Sequence, residues 1–481
     1  MKKITLLLSL LLCMPVLAKD IVVKDGQSIQ AAVNEAVNGD VILVQPGTYR
    51  ESVYIDKDNI TLRGVVVEGE WPVMEGDHKL NDAILYSGNN VTVEWLKIMH
   101  YKGNAIMGQS GNNYVIRNNW IVDTGVYGIF PQYGKNGLIE YNVLSGIEDA
   151  AIYVGMCDNV DVKHNEVFDS VAGIEIENTR HALVENNYAH NNTAGILVFI
   201  TPGLPIKTAY DIIVRNNFVV NNNTPNFGAP GSIVSKVPVG VGMVVMAADD
   251  VKIEGNIITG NQTAGIVITD LAFVTDVASD TESEPNPDNI QILDNLMFNN
   301  GSDPVAEVKA AMLTKFKTTG PDILANVGSA QEPDNCILNA ERYTSFGIGK
   351  WSKCDITTTA DVKTYLLPAD AAPREIETDA DRVARLYKGI CAGCHAYNLR
   401  MIGPPAMAIQ AQYYDNPQGI ADYLANPVKK RPDFPPMPSQ GHLSEELRLK
   451  VAEYMLCLSP KKLEAVAATQ GQVAKCEKPS N

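Results

Sequence analysis

The 481-residue sequence predicts two domains, an all-β parallel β-helix built of stacked strand coils and then a small all-α domain. Three observations predict it. An asparagine follows short β-rich runs at Asn119, Asn142, Asn165 and Asn187, in steps of 23, 23 and 22, and again at Asn217, Asn256 and Asn295, in steps of 30, 39 and 39. A second ladder, a small residue followed by an apolar one, keeps the same phase: Ala105-Ile106, Gly128-Ile129, Ala151-Ile152, Gly173-Ile174, Gly195-Ile196, Gly242-Met243 and Gly265-Ile266. The period lapses near residue 302, and apolar residues at helical spacing (Val383, Leu386, Tyr387) then run straight into Cys391-Ala392-Gly393-Cys394-His395.

Residues 1–18 read as a secretory signal: Lys2 and Lys3, an apolar run from Ile4 to Leu12, and Val16-Leu17-Ala18 before Lys19-Asp20. Cleavage is expected near Ala18 and export to the periplasm follows. Leu12 stands before Cys13 where lipoprotein signals carry a small residue, which argues against a lipid anchor. No other segment has the length and apolarity of a transmembrane span. The net charge of −17 and pI of about 4.9 argue against nucleic acid and anionic membrane as partners.

Residues 19–302 are assigned to the solenoid. A period of 22 or 23 residues is too short for a strand–helix–strand crossover, yet it holds two or three short strands. Coils stacked on like coils satisfy it, with Val, Ile and Leu filling the axis and Asn serving turn geometry and amide stacking. Asp25 to Val33 reads as a short amphipathic helix capping the first coil. The following run, Gly39-Asp40-Val41-Ile42-Leu43-Val44-Gln45-Pro46-Gly47-Thr48-Tyr49, resembles the first coil of the right-handed β-helix superfamily of pectin esterases and polysaccharide lyases. That resemblance implies a right-handed solenoid from about Ile21 to Asn300. The Gln/Asp/Asp/Arg signature of pectin esterases and the Asp-Pro-His-Asp run of alginate epimerases are missing.

Counting outward from each small-apolar pair places Phe130, Gln132, Tyr153, Glu175, Glu177, Leu197 and Phe199 on one face. Adjacent turns add Tyr127, Glu148, Asp149, His190, Arg180 and His181. Aromatics beside carboxylates and a base suit a sugar ligand, since rings stack on sugars and paired acids move protons. Glu175, Glu177, Asp149 and His181 are the catalytic candidates, and a polysaccharide or glycan is the candidate ligand. Three insertions (201–207, 221–239 and 271–288) are places where binding or docking can reside.

Residues 303–375 read as a capping segment and linker, with a helix from Ala306 to Phe316 and a Pro/Ala-rich run from Pro368 to Pro373. Cys336 with Cys354 and Cys457 with Cys476 are the expected disulfides of an exported protein, leaving Cys157 as a buried thiol. Residues 376–460 form the expected α-domain, and residues 461–481 are a tail.

C-x-x-C-H is the attachment pattern of a covalent haem c: Cys391 and Cys394 supply thioethers and His395 an iron ligand. The order of this motif, Ile402-Gly403-Pro404-Pro405 and Phe434-Pro435-Pro436-Met437-Pro438 resembles the small class I cytochromes c of bacteria. The resemblance implies Met437 as the second iron ligand, ahead of Met401, Met407, Met455 and His442. The functional expectation is an exported electron carrier that exchanges electrons with a periplasmic redox protein, its β-helix serving as a docking or glycan-binding scaffold. The alternative is a carbohydrate-active enzyme or oxidoreductase with its site on the β-helix groove.

Overall fold

The computed structural model describes residues 18–202, 204, 206–230, 232–274, 282–326, 334–368, 379–392, 394–395, 397–398, 403–434 and 437–459. Residues 1–17, Met401, Cys476, the rest of the tail, and parts of the 271–288 insertion and of the Pro/Ala-rich linker lie outside them.

Each period lays one strand into each of three sheets, and coil stacks on coil by parallel pairing. Among the described residues the first sheet has 13 strands, from Asp20–Val23 to Ser352–Lys353. The second has 10, from Gly47–Tyr49 to Leu296–Phe298, and the third has 11, from Val53–Ile55 to Ser345–Phe346. The small-apolar ladder marks one inward column of the third sheet, where Ile106 pairs with Ile129, Ile129 with Ile152, Ile152 with Ile174 and Ile174 with Ile196. Every member is buried. Each such side chain stabilises the solenoid by roughly 1.5–3 kcal/mol relative to exposure.

The asparagine ladder is a continuous buried hydrogen-bond chain at the corner between the first and second sheets. Asn119 Nδ2 donates to Asn142 Oδ1 at 3.0 Å, Asn142 to Asn165 at 3.0 Å and Asn165 to Asn187 at 3.0 Å, and the chain continues through Asn217 and Asn256 to Asn295. Left-handed geometry falls on the residue before each ladder asparagine: Asn118, Tyr141, His164, Asn186, Asn216, Gly255 and Asp294 all have φ between 47° and 63°. Tyr141 and His164 accept this uncommon conformation with their rings stacked at 4.9 Å. A second ladder, Asn192, Asn222, Asn261 and Asn300, escaped the sequence reading.

Helix α1 (Ile29–Glu35) closes the first coil by burying Ile29, Ala32 and Val33. Ser28 caps it, and the Glu51 carboxylate takes the free amides of Ile29 and Gln30 at 2.7 and 3.0 Å. The stacking does not end at residue 302. After α2 (Ala306–Leu313), Ile323–Asn326 adds to the third sheet and Cys336–Ile337 to the first, and a Cys336–Cys354 disulfide clips this last part of the stack.

Residues 355–368 then run back along the first sheet as a strap, a feature with no periodicity to reveal it. Arg215, 6% exposed, donates from Nη1 to the Thr359 carbonyl at 2.5 Å and from Nη2 to that of Val362 at 2.9 Å, while its Nε pairs with Glu185 at 2.7 Å. Further on, Tyr365 N donates to Asp161 at 3.0 Å and Leu367 N to Asn136 at 2.6 Å. Arg215→Ala strands Glu185 and two carbonyls, so it is expected to cost about 3 kcal/mol. Limited proteolysis is expected to cut the variant within 355–368 at a rate that leaves wild type intact.

The strap returns the chain to the middle of the solenoid, where α3 (Asp379–Tyr387), a π-helical turn (Lys388–Ala392), α4 (Ala406–Gln412), α5 (Pro417–Ala425) and α6 (Glu445–Leu456) follow. Here the expected fold class is corrected. The chain is a parallel β-helix over most of its length, and the few helices after it do not make a separate small all-α cytochrome c domain. The physical reason is packing: Val383, Leu386, Tyr387, Ile420, Leu424 and Val451 belong to one apolar core continuous with that of the solenoid, whereas an independent domain closes a core of its own. The π-helical turn rests on strand Ile106–Gln109, with Gly389 so close to Gln109 that an added Cβ would lie 3.3 Å from it. Arg382 reaches Asp56 at 3.4 Å. Among the described residues no helix is long and apolar enough to cross a membrane.

Candidate active site

Parallel register turns the outward positions of the third sheet into columns. Tyr153 pairs with Glu175 and Glu175 with Leu197; Gly155 pairs with Glu177 and Glu177 with Phe199. Glu175 and Glu177, two residues apart on one strand, point to the same side with their Cα atoms about 6.6 Å apart. The outward side chains of this face are themselves covered: Glu175 is 3% exposed and Glu177 5%. Asp149, entering the preceding coil, stays half-buried at the rim.

Aromatic rings wall the carboxyls. Tyr127 lies 4.6 Å from Phe130 and 4.5 Å from Tyr153, and Phe130 meets Tyr153 edge-on at 4.8 Å. Burial in this apolar surround disfavours the carboxylate form. Burial, then the charge of Glu177, pushes Asp149 up to about 8. Burial, then Asp149, drives Glu175 well above the ordinary carboxyl range. Burial pushes Glu177 up to about 7 against a hydrogen bond from Thr201, a residue the sequence reading did not single out. All three negative charges also bear on the Tyr127 hydroxyl, so the four groups share one electrostatic neighbourhood. Carboxyls tuned to neutrality can give and take protons at working pH.

The helices border this face. Lys388 Nζ stands 5.5 Å from the Tyr133 ring centre, and burial pulls its ammonium down to about 8.

His181 does not join the acids. It lies on the first sheet, with Nδ1 2.8 Å from Asp211 and its ring near Tyr365 of the strap. Arg180 pairs there with Asp158 at 3.4 Å, and His190 sits on the second sheet against Glu166 at 3.1 Å. Residues adjacent in sequence turn onto different sheets at a coil corner, and outward counting cannot see the corner.

The C-x-x-C-H residues sit between the solenoid and the helices. Cys391 is a buried free thiol pushed up to about 12 by burial, and Cys394 is a half-buried free thiol also raised by burial. His395 is 8% exposed, with Nδ1 2.8 Å from the Pro404 carbonyl, and Gly403 leaves room for the ring: an added Cβ would lie 2.4 Å from it. That carbonyl fixes the proton on Nδ1 and leaves the Nε2 lone pair for a metal. Two unpaired thiols and an oriented imidazole therefore fit a covalent haem. Met437 is half-buried against the core. Cys457 is disulfide-bonded, and Cys476, its expected partner, lies outside the described residues. Cys157 is a buried free thiol, as expected.

Residues 51–201 match a family model described as the right handed beta helix region. Among curated proteins, none matches the sequence. Among solved structures, the A-module of the Azotobacter vinelandii mannuronan C-5 epimerase AlgE6 is 16% identical, over 62% of this chain and 74% of that one, at a TM-score of 0.48. An alginate lyase from a Paenibacillus species is 14% identical, over 59% and 97%, at 0.42. A DFA-IIIase from Arthrobacter chlorophenolicus A6 in complex with DFA-III is 13% identical, over 70% and 96%, at 0.44. The expected description of the chain as a cytochrome c and electron-transfer protein is corrected here: the family match supports the parallel β-helix repeat and lends the cytochrome description and a redox partner no support. At such identities the likeness is one of fold, and that fold is the right-handed parallel β-helix.

Proposed function

We propose that the chain is a carbohydrate-active enzyme whose site is the third-sheet face around Asp149, Glu175 and Glu177. The observation that carries this is the cluster of three carboxyls held toward their protonated forms at neutral pH in an aromatic-walled surround. Such a surround stacks sugar rings, and such acids protonate a leaving oxygen or remove a ring proton. Asp149, half-buried, is placed to exchange a proton with substrate, the charge of Glu177 raises its proton affinity, and Glu175, held in its acid form by burial and the charge of Asp149, is the proton donor of the pair. The reading accords with the polysaccharide enzymes named above without resting on them. Action in the periplasm fits the leader-like residues 1–18 and the Cys336–Cys354 disulfide. Wild type is expected to release new reducing ends or unsaturated sugars from at least one member of a panel of acidic and neutral polysaccharides, and Glu175→Gln to release none. Product that persists in Glu175→Gln overturns the site.

A separate proposal concerns the residues Cys391, Cys394, His395 and Met437 alone. The His395–Pro404 hydrogen bond favours attachment of a haem c there, with thioethers from both thiols and Met437 as second iron ligand. When bound, the group supplies redox chemistry; no proton movement in the third-sheet site runs through it. Intact-mass analysis of protein made in cells that attach haem is expected to show one covalent haem, lost in a Cys391→Ala, Cys394→Ala double variant. Unmodified wild-type mass overturns it.

A further inference from the structure

At the corner between the second and third sheets, three successive coils bring His78, His100 and Asp123 together. All three adopt left-handed backbone geometry, with φ of 51°, 61° and 54°, so each side chain leaves the same turn of its coil. His100 follows strand Lys97–Met99 and Asp123 follows Trp120–Val122, which pair in register, so the two lie one coil apart. His78 N donates to the His100 carbonyl at 2.8 Å, holding the first coil's turn against the next.

The ligand atoms converge. His78 Nε2 is 3.8 Å and His100 Nε2 3.9 Å from Asp123 Oδ2, and the three atoms all lie within 4.8 Å of one another. Separations of this size are too long for direct hydrogen bonds and somewhat wider than the roughly 3.4 Å between two ligands each about 2.1 Å from a tetrahedral zinc ion, so small side-chain rotations bring the three atoms onto one ion. The two imidazole rings stand 4.8 Å apart and tilted by 39°, so neither blocks the other's nitrogen.

A second observation points to a metal. Glu75 grips His100 Nδ1 with both carboxylate oxygens, at 2.9 and 3.0 Å, and is itself fixed by the Asp77 amide at 2.9 Å. A carboxylate on Nδ1 fixes the proton there, turns the Nε2 lone pair outward and raises its basicity, the outer-shell arrangement found behind metal-binding histidines. Glu148, exposed one coil on, is close enough to feel the charges of both Asp123 and His78.

We infer that His78, His100 and Asp123 form a divalent transition-metal site, of the imidazole–carboxylate type that takes Zn²⁺, with Glu75 as a positioning residue and the remaining coordination open to solvent. Two imidazoles with one carboxylate favour zinc-class ions over calcium or magnesium, which prefer all-oxygen shells. The site lies apart from Glu175 and Glu177, so it stands whether or not the carbohydrate reading does.

The test is calorimetric titration of chelator-stripped full-length protein with ZnCl2, in a Cys391→Ala, Cys394→Ala background that removes the competing thiols. One equivalent is expected to bind, and His78→Ala with Asp123→Ala is expected to weaken binding at least a hundredfold with the metal-free melting temperature unchanged. Glu75→Gln is expected to weaken it about tenfold. Co²⁺ is expected to give visible ligand-field bands in the parent and none in the double variant. Zinc uptake of equal affinity in parent and double variant, or none in the parent, overturns the assignment.

Discussion

Asp149→Asn is expected to lower product formation a hundred- to ten-thousandfold while raising the melting temperature at pH 8. The two effects have one cause. An amide cannot carry the proton that Asp149 exchanges at the rim of the site, so turnover falls. In the folded chain, burial and then the charge of Glu177 push the Asp149 carboxyl from its ordinary 3.8 to about 8. The unfolded chain releases that proton near pH 4 and the folded chain keeps it, so the stability Asp149 contributes is complete below about pH 4 and falls as pH climbs toward 8. Glu177, raised from 4.5 to about 7, adds to the same decline. The neutral amide removes the Asp149 share, so melting curves of the variant are expected to be flatter between pH 4 and 8 than those of wild type. Identical slopes would mean that the carboxyl is ordinary.

Asn165→Ala is expected to be the most damaging single truncation of the solenoid. Asn165 is 2% exposed and serves five hydrogen bonds. Its Nδ2 donates to Asn187 Oδ1, Ile139 O and Lys163 O, each at 3.0 Å, and its Oδ1 accepts from Asn142 N and Nδ2, each at 3.0 Å. Alanine fills none of these, and buried groups left unsatisfied cost roughly 1–3 kcal/mol each. Because the ladder's members share partners, the expected loss is about 4 kcal/mol rather than the full sum. Chemical denaturation measures it against Asn38→Ala, an exposed site expected to change stability by less than about 0.5 kcal/mol.

The solenoid was legible because its two ladders are physical columns. Asn142 bonds to Asn165 and Ile152 pairs with Ile174 one coil away, so each repeat in sequence is a contact in space. The second asparagine ladder was hidden because Ser170 stands in its column between Ile147 and Asn192, breaking the residue identity but not the hydrogen bonding. The strap was hidden for a different reason: Thr359 is held by Arg215 and Glu254 and Tyr365 by Asp161 and Asp211, polar contacts scattered along the sheet that impose no period on the strap.

Of the candidate site, Glu175 and Glu177 were found together because alternation along a strand puts i and i+2 on one face, and Asp149 because it leads into the neighbouring strand of the same sheet. His181 was misplaced because a corner separates it from Glu177 by a change of sheet. The helix leading into Cys391 and the last helix were legible, α4 and α5 were not, and the sharing of one core with the solenoid depends on where the strap delivers them, which is a tertiary fact. His78, His100 and Asp123 were missed because, although they keep the coil period (100 − 78 = 22 and 123 − 100 = 23), the column holds two residue types and then passes to Gly146, so no repeated letter marks it.

Burial holds the third-sheet carboxyls wholly or partly protonated at neutral pH. Infrared difference spectra between pH 5 and 9, recorded for wild type and for Asp149→Asn and Glu177→Gln, read this protonation most directly. Wild type is expected to lose protonated-carboxyl absorbance between about pH 6 and 9, with each variant missing part of that loss. Wild-type carboxyls that have all ionised by pH 5, leaving spectra indistinguishable from those of the variants, would contradict it.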